Sequence, residues 1–419
     1  MTEKRPVVVI GGGFVGICTA AWLQRAGLPV RVIARQSARD AASLGNAGCI
    51  NGSSIVPVAM PGVLWQVPGW LLQPDGPLVL RWRYLPRMAP WLARFVASSR
   101  PERVAGQARA LRALLGPALD AYRPLLADAG AQDLLAERGY LIAYSSREGM
   151  AGDAGGVALR ERNGIAIETL DARALREFEP TLSPRFVGAR YIAETGHTTP
   201  QALLARLTAH VIERGGEIVD DEAASIETNG AQAVAVHTRS TRHDARAVVV
   251  AAGAWSARFV AQLGDRVLLD TERGYHVEIP ALPAMPARPV MWAEGKLFAT
   301  PMQGRLRAAG TVELAGLHAP PDWRRADLLL RQLRQMFPDA GAASADAASV
   351  TRWQGFRPST PDSLPVIGAA SRVPNAFYAF GHGHVGLTAA ASTGRAIAAL
   401  VAGERATLDL APFSVARFR

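Results

Sequence analysis

The segment VVVIGGGFVGICTAAWLQRAGLPVRVIARQ, residues 7–36, contains the pattern that decides the fold. Four consecutive apolar residues at 7–10 predict a short buried strand, and apolar residues at helical spacing over 14–26 predict a helix that ends at Gly27. Residues 30–34 return to the composition of a strand. The order strand, helix, strand predicts a βαβ unit, the repeating element of a parallel sheet.

The glycines between the first strand and the helix point to a phosphate-bearing ligand. Gly11, Gly13 and Gly16 form the pattern GxGxxG. The first glycine allows a tight turn, the second lets the backbone approach a pyrophosphate, and the third lets the helix pack closely on the strand. The N–H groups of the helix start, at Phe14 and Val15, favour negative charge. We therefore predict a Rossmann-type dinucleotide-binding unit.

The end of the second strand departs from the usual pattern of such units. An Asp or Glu normally stands there and accepts hydrogen bonds from the ribose hydroxyls. This chain has Ala34 at that position, followed by Arg35 and Gln36. Taken alone, a missing acid beside an arginine favours NADP, because arginine accommodates a 2′-phosphate. The segment by itself leaves NAD, NADP and FAD open.

Composition limits the kinds of partner. The chain has 419 residues, which favours two domains, and 49% hydrophobic and 20% charged residues, which is ordinary for a globular protein. Its formal net charge is +10, but it has no dense basic run interleaved with aromatic residues. We therefore expect no nucleic-acid partner. Cys18 and Cys49 form no CxxC pair, and the N-terminus lacks a signal-peptide pattern, so we expect a cytoplasmic protein.

Residues 54–74 are apolar but do not predict a membrane-spanning helix, because Pro57, Pro61 and Pro68 interrupt them. With the following LRWRYLPRMAPWLARFV, residues 80–96, they form an aromatic and basic stretch. Two interpretations stay open: peripheral contact with the inner face of a membrane, and packing inside the protein, which we favour because core-facing helices commonly show this pattern.

Four further segments carry glycine or small residues where a strand or turn is predicted. They are SLGNAGCIN (43–51), VVVAAGAWS (248–256), ERGYHVEI (272–279) and FYAFGHGHVGLTAAASTG (377–394). With the segment at 7–36 and WQGFRPSTPDSLPVIG (353–368), they resemble the FAD-dependent D-amino-acid oxidase superfamily, with the bacterial D-amino-acid dehydrogenase small-subunit group as the nearest likeness. The resemblance extends over essentially the whole chain.

The resemblance implies that the cofactor is FAD. In this family the second strand ends in acid-Arg, so Arg35 is expected and only Ala34 is foreign. Loss of one charged acceptor for the ribose should cost on the order of 1.5–3 kcal/mol, roughly ten- to a hundredfold in affinity. An NADP-dependent reductase lacks a second dinucleotide pattern in this chain. The implied cofactor residues are Gly11, Gly13, Phe14, Val15, Gly16, Arg35, Gln36, Ser43, Asn46, Ala47, Gly48, Ala252, Gly253, Trp255, Gly381, His382, Gly383, His384, Val385, Gly386, Leu387 and Thr388.

The resemblance also implies catalytic residues. Arg357 matches the arginine that clamps the substrate carboxylate, for which a planar guanidinium is suited. Tyr275 and His276 fall on the strand that lines the substrate pocket in this family, although one face of an ordinary sheet explains them too. Two histidines in a glycine turn, His382 and His384, without a cysteine or carboxylate companion predict no metal site.

The implied fold is mixed α/β: a Rossmann-type FAD-binding domain interleaved with a substrate domain built on an antiparallel or mixed sheet with helices. We assign residues 1–52, 185–265 and 346–419 to the first domain, and 53–184 and 266–345 to the second. The implied activity is oxidation of a D-amino acid or a cyclic secondary amino acid. Electrons pass to a quinone or other carrier, or to oxygen. A flavin subunit of a larger dehydrogenase complex is an alternative, and the oligomeric state is left open.

Overall fold

The computed structural model describes residues 5–35, 41–62, 69, 76, 78–342 and 347–419. The strands within these residues are β1 (Val7–Ile10), β2 (Val30–Ile33), β3 (Cys49–Asn51), β4 (Leu78–Leu80), β5 (Tyr140–Tyr144), β6 (Glu168–Asp171), β7 (Gly188–Ile192), β8 (Thr195–His197), β9 (Glu217–Val219), β10 (Ala223–Thr228), β11 (Ala233–Thr238), β12 (Arg242–Asp244), β13 (Ala247–Val250), β14 (Asp270–Pro280), β15 (Val290–Trp292), β16 (Leu297–Met302), β17 (Arg305–Leu314), β18 (Thr351–Ser359), β19 (Val366–Ala369) and β20 (Ala376–Phe380).

The helices lie between or after these strands, singly or in groups of two or three. They are α1 (Phe14–Arg25), α2 (Leu85–Ser98), α3 (Pro101–Leu115), α4 (Ala118–Ala129), α5 (Arg147–Gly152), α6 (Ala154–Arg162), α7 (Ala172–Phe178), α8 (Pro200–Glu213), α9 (Ala257–Gln262), α10 (Arg324–Met336) and α11 (Gly386–Ala402). The mixed α/β class expected from the sequence is therefore confirmed.

The first sheet has six strands in the order β19-β20-β13-β1-β2-β9, parallel except for β19. The βαβ unit predicted over 7–36 is β1, α1 and β2. Val7 and Val9 face one core cluster with α1 and α11, while Val8 and Ile10 face another with the three-stranded sheet of β10, β11 and β12. Both faces of β1 are buried, which explains its continuous apolar run.

The second sheet has nine strands, eight of them in the order β18-β14-β17-β16-β15-β5-β7-β6, with β4 paired to β17. Most neighbours are antiparallel, and α10 packs on β14 and β17. A small pair of strands, β3 and β8, completes the set of ladders formed by the described residues. The edge of this sheet formed by β14, β17 and β18 faces the first sheet across a large cavity.

The domain boundaries predicted from the sequence divide this second sheet. Strands β7 and β18 lie in the ranges assigned to the cofactor domain, yet both pair within the nine-stranded sheet. Helices α3 and α4 lie in a range assigned to the substrate domain, yet they pack against α1 and α11. Local periodicity identifies a strand but not its partner, so the division of the chain follows long-range pairing that the pattern does not contain.

The aromatic stretch at 80–96 is partly packed and partly exposed. Met88 and Trp91 of α2 are buried against Leu314, and the Trp91 indole N–H donates to the carbonyl of Ser359 at 3.1 Å. Trp82 is 68% exposed. One described segment, Gly383–Ala402, has the length and composition of a membrane span, but 67% of its apolar window is buried in the protein, as in the core helix of a globular domain.

Candidate functional site

The glycine turn after β1 brings three strand ends together. The Gly11 N–H donates to the Ile33 carbonyl at 2.9 Å, and Ala251 donates to the Ile10 carbonyl at 2.9 Å. Gly11 has φ +120°, and a Cβ there would lie 2.2 Å from the Ala251 carbonyl oxygen. A Cβ on Gly16 would lie 1.8 Å from the Gly11 carbonyl oxygen. Only glycine fits at these two positions, so the cradle is made of bare backbone.

A cavity of about 990 Å³ opens at this edge of the sheet, within the range of roughly 300–1,000 Å³ that is typical for ligand sites. Most of the predicted cofactor residues line it. They are Gly11, Gly13, Phe14, Val15, Arg35, Ser43, Asn46, Ala47, Ala252, Gly253, Trp255, His382, Gly383, His384, Val385, Gly386, Leu387 and Thr388. Gly16, Gly48 and Gly381 shape the backbone behind the lining, and Gln36 lies outside the described residues.

The end of β2 shows what replaces the usual acid. The Ala34 methyl lies against Gly12, where an added Cβ would come within 2.6 Å of it. The Arg35 guanidinium lies over the Trp255 ring at 5.7 Å, and both residues line the cavity. Ala34 therefore contributes a small apolar wall where a carboxylate would accept from a ribose.

The segment 43–48 is held from both sheets. The Ser43 hydroxyl accepts from the Phe14 N–H at 2.9 Å, at the start of α1. On the other side, the guanidinium of the fully buried Arg307 donates to the carbonyls of Leu44 and Asn46. Arg307 is also paired with Glu278 at 2.6 Å. Arg307 lies on β17, so a strand of the second sheet positions segment 43–48, which lines the cavity on the side of the first sheet.

His276 belongs to the same support. Its Nδ1 lies 3.2 Å from the Gly45 carbonyl oxygen, and its ring stacks on Trp353 at 5.0 Å between centroids. Because a carbonyl only accepts, Nδ1 carries the proton. Burial, reinforced by the Arg307 charge, lowers the pKa of His276 to about 3, so the ring is neutral at physiological pH. The structure places this predicted catalytic residue behind the lining of the cavity, where it supports segment 43–48.

Arg357 lies in the cavity, on β18 directly opposite Glu272 of β14. Its guanidinium crosses the backbone of Gly274, where a Cβ would lie 2.2 Å from the Arg357 Cζ. One Nη donates to the Thr311 carbonyl at 2.9 Å and the other reaches the Gly310 carbonyl at 3.4 Å. Two carbonyls and one glycine thereby fix the plane of the guanidinium.

Thr311 has an unusual backbone at this point. Its φ is +56°, a left-handed conformation that β-branched residues rarely adopt. It lies where the register between β14 and β17 shifts by a bulge, between Arg273 and Tyr275. Lys296, with φ +53°, also lines the cavity. Such conformations persist where the surrounding fold imposes them, and the carbonyl of Thr311 is one that accepts a hydrogen bond from Arg357.

Tyr275 does not reach the cavity. Adjacent strand residues point to opposite faces, and Tyr275 shares its face with Arg273 rather than with Glu272 and Gly274. Its hydroxyl donates to Glu313 at 2.5 Å and accepts from the Asp322 N–H at 2.8 Å. Burial raises the pKa of its phenol, and the Glu313 hydrogen bond adds to this. The prediction that Tyr275 contacts substrate disagrees with this placement, because the period-two alternation turns it into a buried polar cluster.

The glycine turn before α11 presents two histidines differently. His382 is buried, with Nε2 at 3.0 Å from the Thr393 hydroxyl, and burial lowers its pKa to about 3. His384 lines the cavity, and the surrounding protein together with the Arg357 charge lowers its pKa to about 4. Both imidazoles are therefore neutral at physiological pH. The turn is tied to β3 by Thr388, whose hydroxyl accepts from the Asn51 N–H at 3.0 Å.

Sequence reasoning missed Glu272, which lines the cavity and is only 7% exposed. Burial raises the pKa of this carboxyl, and the Arg357 charge opposes the rise. The sequence offered one signal for Glu272. In the segment 272–279 it lies two and four residues before Gly274 and His276, so in a strand all three would point to the same face. Without the pairing of β14 with β18, nothing distinguished it from an exposed strand acid.

The residues present fit an FAD molecule. The glycine cradle admits a pyrophosphate, and the cavity continues from there to the starts of both α1 and α11. Helix N-termini favour negative charge, which suits the pyrophosphate at one and the electron-rich pyrimidine side of a reduced flavin at the other. The cavity volume is at the upper end of the usual range, as so large a ligand requires.

Known proteins are similar to this chain in sequence and in fold. Residues 6–400 match the DAO family model, described as FAD dependent oxidoreductase. The chain is 41% identical to a D-amino-acid oxidase and 30% identical to a D-amino acid dehydrogenase, both of Bradyrhizobium diazoefficiens, with 100% and 98% of each chain covered. Its fold is similar to glycine oxidase from Geobacillus kaustophilus, with a TM-score of 0.75 at 22% identity over 99% of both chains. The chain therefore belongs to the DAO family and is an FAD-dependent oxidoreductase.

Proposed function

We propose that this enzyme oxidises the Cα–N bond of an amino acid that is D-configured or a cyclic secondary amine, such as a D-proline derivative. The observation that carries the proposal is Arg357, a guanidinium in the wall of the cavity that the backbone carbonyls of Thr311 and Gly310 fix. Its planar fork suits a bidentate contact with a substrate carboxylate. The D configuration is supported by the names of the two relatives, a D-amino-acid oxidase and a D-amino acid dehydrogenase.

Most of the rate enhancement would come from positioning. With the carboxylate held by Arg357, the Cα–H bond can be aimed along the cavity, and apolar side chains such as Met291 and Phe298 enclose the rest of the substrate. When bound, FAD supplies a hydride acceptor. Loss of hydride from Cα leaves an imino acid, which water hydrolyses to a keto acid and ammonia, or a cyclic imine when the amine is secondary.

The electron acceptor separates two forms of this function. The relatives carry both names, oxidase and dehydrogenase, so the reoxidant is either oxygen or a quinone or other carrier. Mixing substrate-reduced enzyme with air-saturated buffer measures the first directly, and a soluble quinone measures the second. The cytoplasmic location and the peripheral membrane contact of the 80–96 stretch stay predictions, and the exposed Trp82 supports the membrane contact alone.

The test is anaerobic reduction of the bound flavin. Purified enzyme is mixed with a panel of D- and L-amino acids, including proline and hydroxyproline isomers, and flavin absorbance near its visible maximum is followed. We expect bleaching with D or cyclic substrates and slower bleaching with their enantiomers. If no amino acid in the panel reduces the flavin, the proposed substrate class is wrong.

A further inference from the structure

Glu272 is a buried carboxylate placed beside the proposed carboxylate clamp. It stands directly opposite Arg357 in the antiparallel pair of β14 and β18, so both side chains leave the same face of the sheet. Opposed residues in such pairs have Cβ atoms about 4.5–5.5 Å apart. Both residues line the cavity. One wall of the cavity thus presents a cation and an anion at neighbouring positions.

The hydrogen bonds of Arg357 go to backbone carbonyls and not to Glu272, whose carboxylate is stabilised by the Ser359 hydroxyl. The two Nη groups of Arg357 donate to the carbonyls of Thr311 and Gly310, and the interaction with Glu272 is one of charge. A carboxylate that is 7% exposed, and whose neutralisation is incomplete, is costly to bury. A ligand that brings a cation to it would offset that cost.

An α-amino acid has the matching pair of charges. Its carboxylate and its ammonium group are attached to the same carbon, so a carboxylate on Arg357 brings the ammonium group within reach of the neighbouring Glu272. The ammonium form cannot be oxidised directly, because the nitrogen lone pair must form the C=N bond as hydride leaves Cα. One proton therefore has to leave the nitrogen first.

Resting on the function proposed above, we propose that Glu272 binds the substrate ammonium group and accepts its proton before hydride transfer. An N–H bond breaks, its electron pair stays on nitrogen, and an O–H bond forms on the Glu272 carboxylate. With FAD bound as the hydride acceptor, hydride would then leave Cα with its electron pair, while the nitrogen lone pair forms the C=N bond. Glu272 returns its proton to solvent after the product departs.

Several titratable groups lie near Glu272. Asp270, two residues away on β14, accepts a hydrogen bond from the Tyr84 hydroxyl at 3.0 Å. From other elements, Arg357 on β18 stands opposite Glu272, and His382 and His384 in the turn before α11 line a smaller pocket with it. Lys296, between β15 and β16, lines the main cavity. The histidines have pKa values lowered to about 3 and about 4. Burial raises the pKa of Glu272, which makes its carboxylate a better proton acceptor than an ordinary one.

The test is the pH dependence of anaerobic flavin reduction by a substrate identified for the wild type. Only the Glu272 carboxylate accepts a proton, so the rate should rise with pH as that group ionises, above the ordinary glutamate range of about 4.3. In Glu272→Gln this limb should disappear, and the rate should instead follow the fraction of substrate whose amine is already neutral. Near neutral pH the loss should be roughly 10²- to 10⁴-fold.

Three measurements make the result decisive. Glu272→Asp keeps a carboxylate and should show an ascending limb at a shifted pH, because the titrating carboxyl has moved and has a different pKa. Asp270→Asn should also keep the limb, displaced slightly to lower pH because a nearby negative charge is gone. Affinity for a carboxylate without an amine, such as cyclopentanecarboxylate, followed by its perturbation of the flavin spectrum, should be equal or tighter in Glu272→Gln. If Glu272 merely supported Arg357, the Glu272→Gln substitution would instead weaken that affinity.

The failures are distinguishable. If the wild type is not reduced by any amino acid, the proposed function falls and this inference with it. If the wild type is reduced, but Glu272→Gln keeps the wild-type pH profile or loses affinity for the amine-free carboxylate, the proton-acceptor role alone is overturned. If Glu272→Gln does not retain flavin, Glu272→Asp decides, because an unshifted limb in that variant contradicts the proposal.

Discussion

The cavity has two ends built on opposite principles. At the end of β1, β2 and β13, the wall is backbone and small residues, with glycines where a Cβ would meet carbonyl oxygens at 1.8–2.2 Å. At the edge of β14, β17 and β18, charged side chains form the wall and its support, among them Arg357, Glu272 and the pair Arg307 and Glu278. The first end should be intolerant of added atoms, and the second intolerant of lost charges. Substitutions at each end can test that difference.

We expect the largest effect from Gly16→Ala. The new Cβ would lie 1.8 Å from the Gly11 carbonyl oxygen, so the turn must open and the cradle is lost. The cost should be on the order of 4–5 kcal/mol of unfolding free energy, with no flavin retained. Flavin content and thermal unfolding measure it. Gly106→Ala, in α3 with no neighbour within 4 Å of the new Cβ, is the control and should be neutral or stabilising.

Arg307→Met should be nearly as costly at the other end. It leaves Glu278 buried without its main partner and frees the carbonyls of Leu44 and Asn46, so we expect a loss of about 3–5 kcal/mol. Denaturant unfolding measures this, and flavin should dissociate faster. Arg305→Met is the matched control, because Arg305 contacts the same carboxylate at 3.2 Å but is 31% exposed. Equal destabilisation by the two variants would mean that burial of Arg307 is not what matters.

Arg357→Lys tests the clamp. Lysine cannot form the planar two-point contact, so kcat/KM for the amino-acid substrate should fall about 10²-fold or more, mainly through KM, while flavin content stays unchanged. Steady-state kinetics over a wide substrate range measure the split. Arg352→Lys on the same strand, where the arginine is exposed and paired with Asp327, should behave as wild type. An unchanged KM in Arg357→Lys would show that Arg357 does not bind the substrate carboxylate.

Ala34→Glu tests the tolerance of the backbone end. A carboxylate at this position would accept from the ribose hydroxyls, so FAD should bind roughly ten- to a hundredfold more tightly, or about 1.5–3 kcal/mol. Flavin release on serial dilution measures the affinity, with Ala34→Gln as the uncharged control. Equal retention by Ala34→Glu and wild type would show that ribose recognition does not depend on this position.

Tyr275→Phe should have the smallest effect on activity. It removes the donor to Glu313 and the acceptor for the Asp322 N–H, so we expect a loss of about 1–3 kcal/mol in stability. Because Tyr275 lies on the face of β14 away from the cavity, kcat/KM should stay within about twofold. A large fall in kcat with normal stability would place its hydroxyl in the reaction after all.

The glycine-rich end of the cavity was predictable from the sequence, and the charged end was less so. Gly11, Gly13 and Gly16 are close in sequence, and their spacing between a predicted strand and a predicted helix indicates their role. Arg357 was found only because its whole segment resembles a family. Glu272 carried only the weak signal of its parity with Gly274 and His276, and Arg307 carried none, since a strand acid and a strand arginine are usually exposed. Their burial depends on residues 85 and 29 positions away, Arg357 and Glu278, which the strand pairing brings together.

The sequence by itself determined the βαβ unit and the phosphate cradle, because these rest on short-range periodicity and on glycines at fixed spacing. The mixed α/β class and the family followed from the resemblance of six segments to known proteins. Only the tertiary structure decided which face of β14 meets the cavity, that β7 and β18 belong to the second sheet, and that Arg307 supports the segment 43–48. These outcomes depend on strand pairing and register, because a shift of one residue turns every side chain of a strand to the opposite face of the sheet. Information of that kind resides in contacts between distant segments, which a local pattern does not contain.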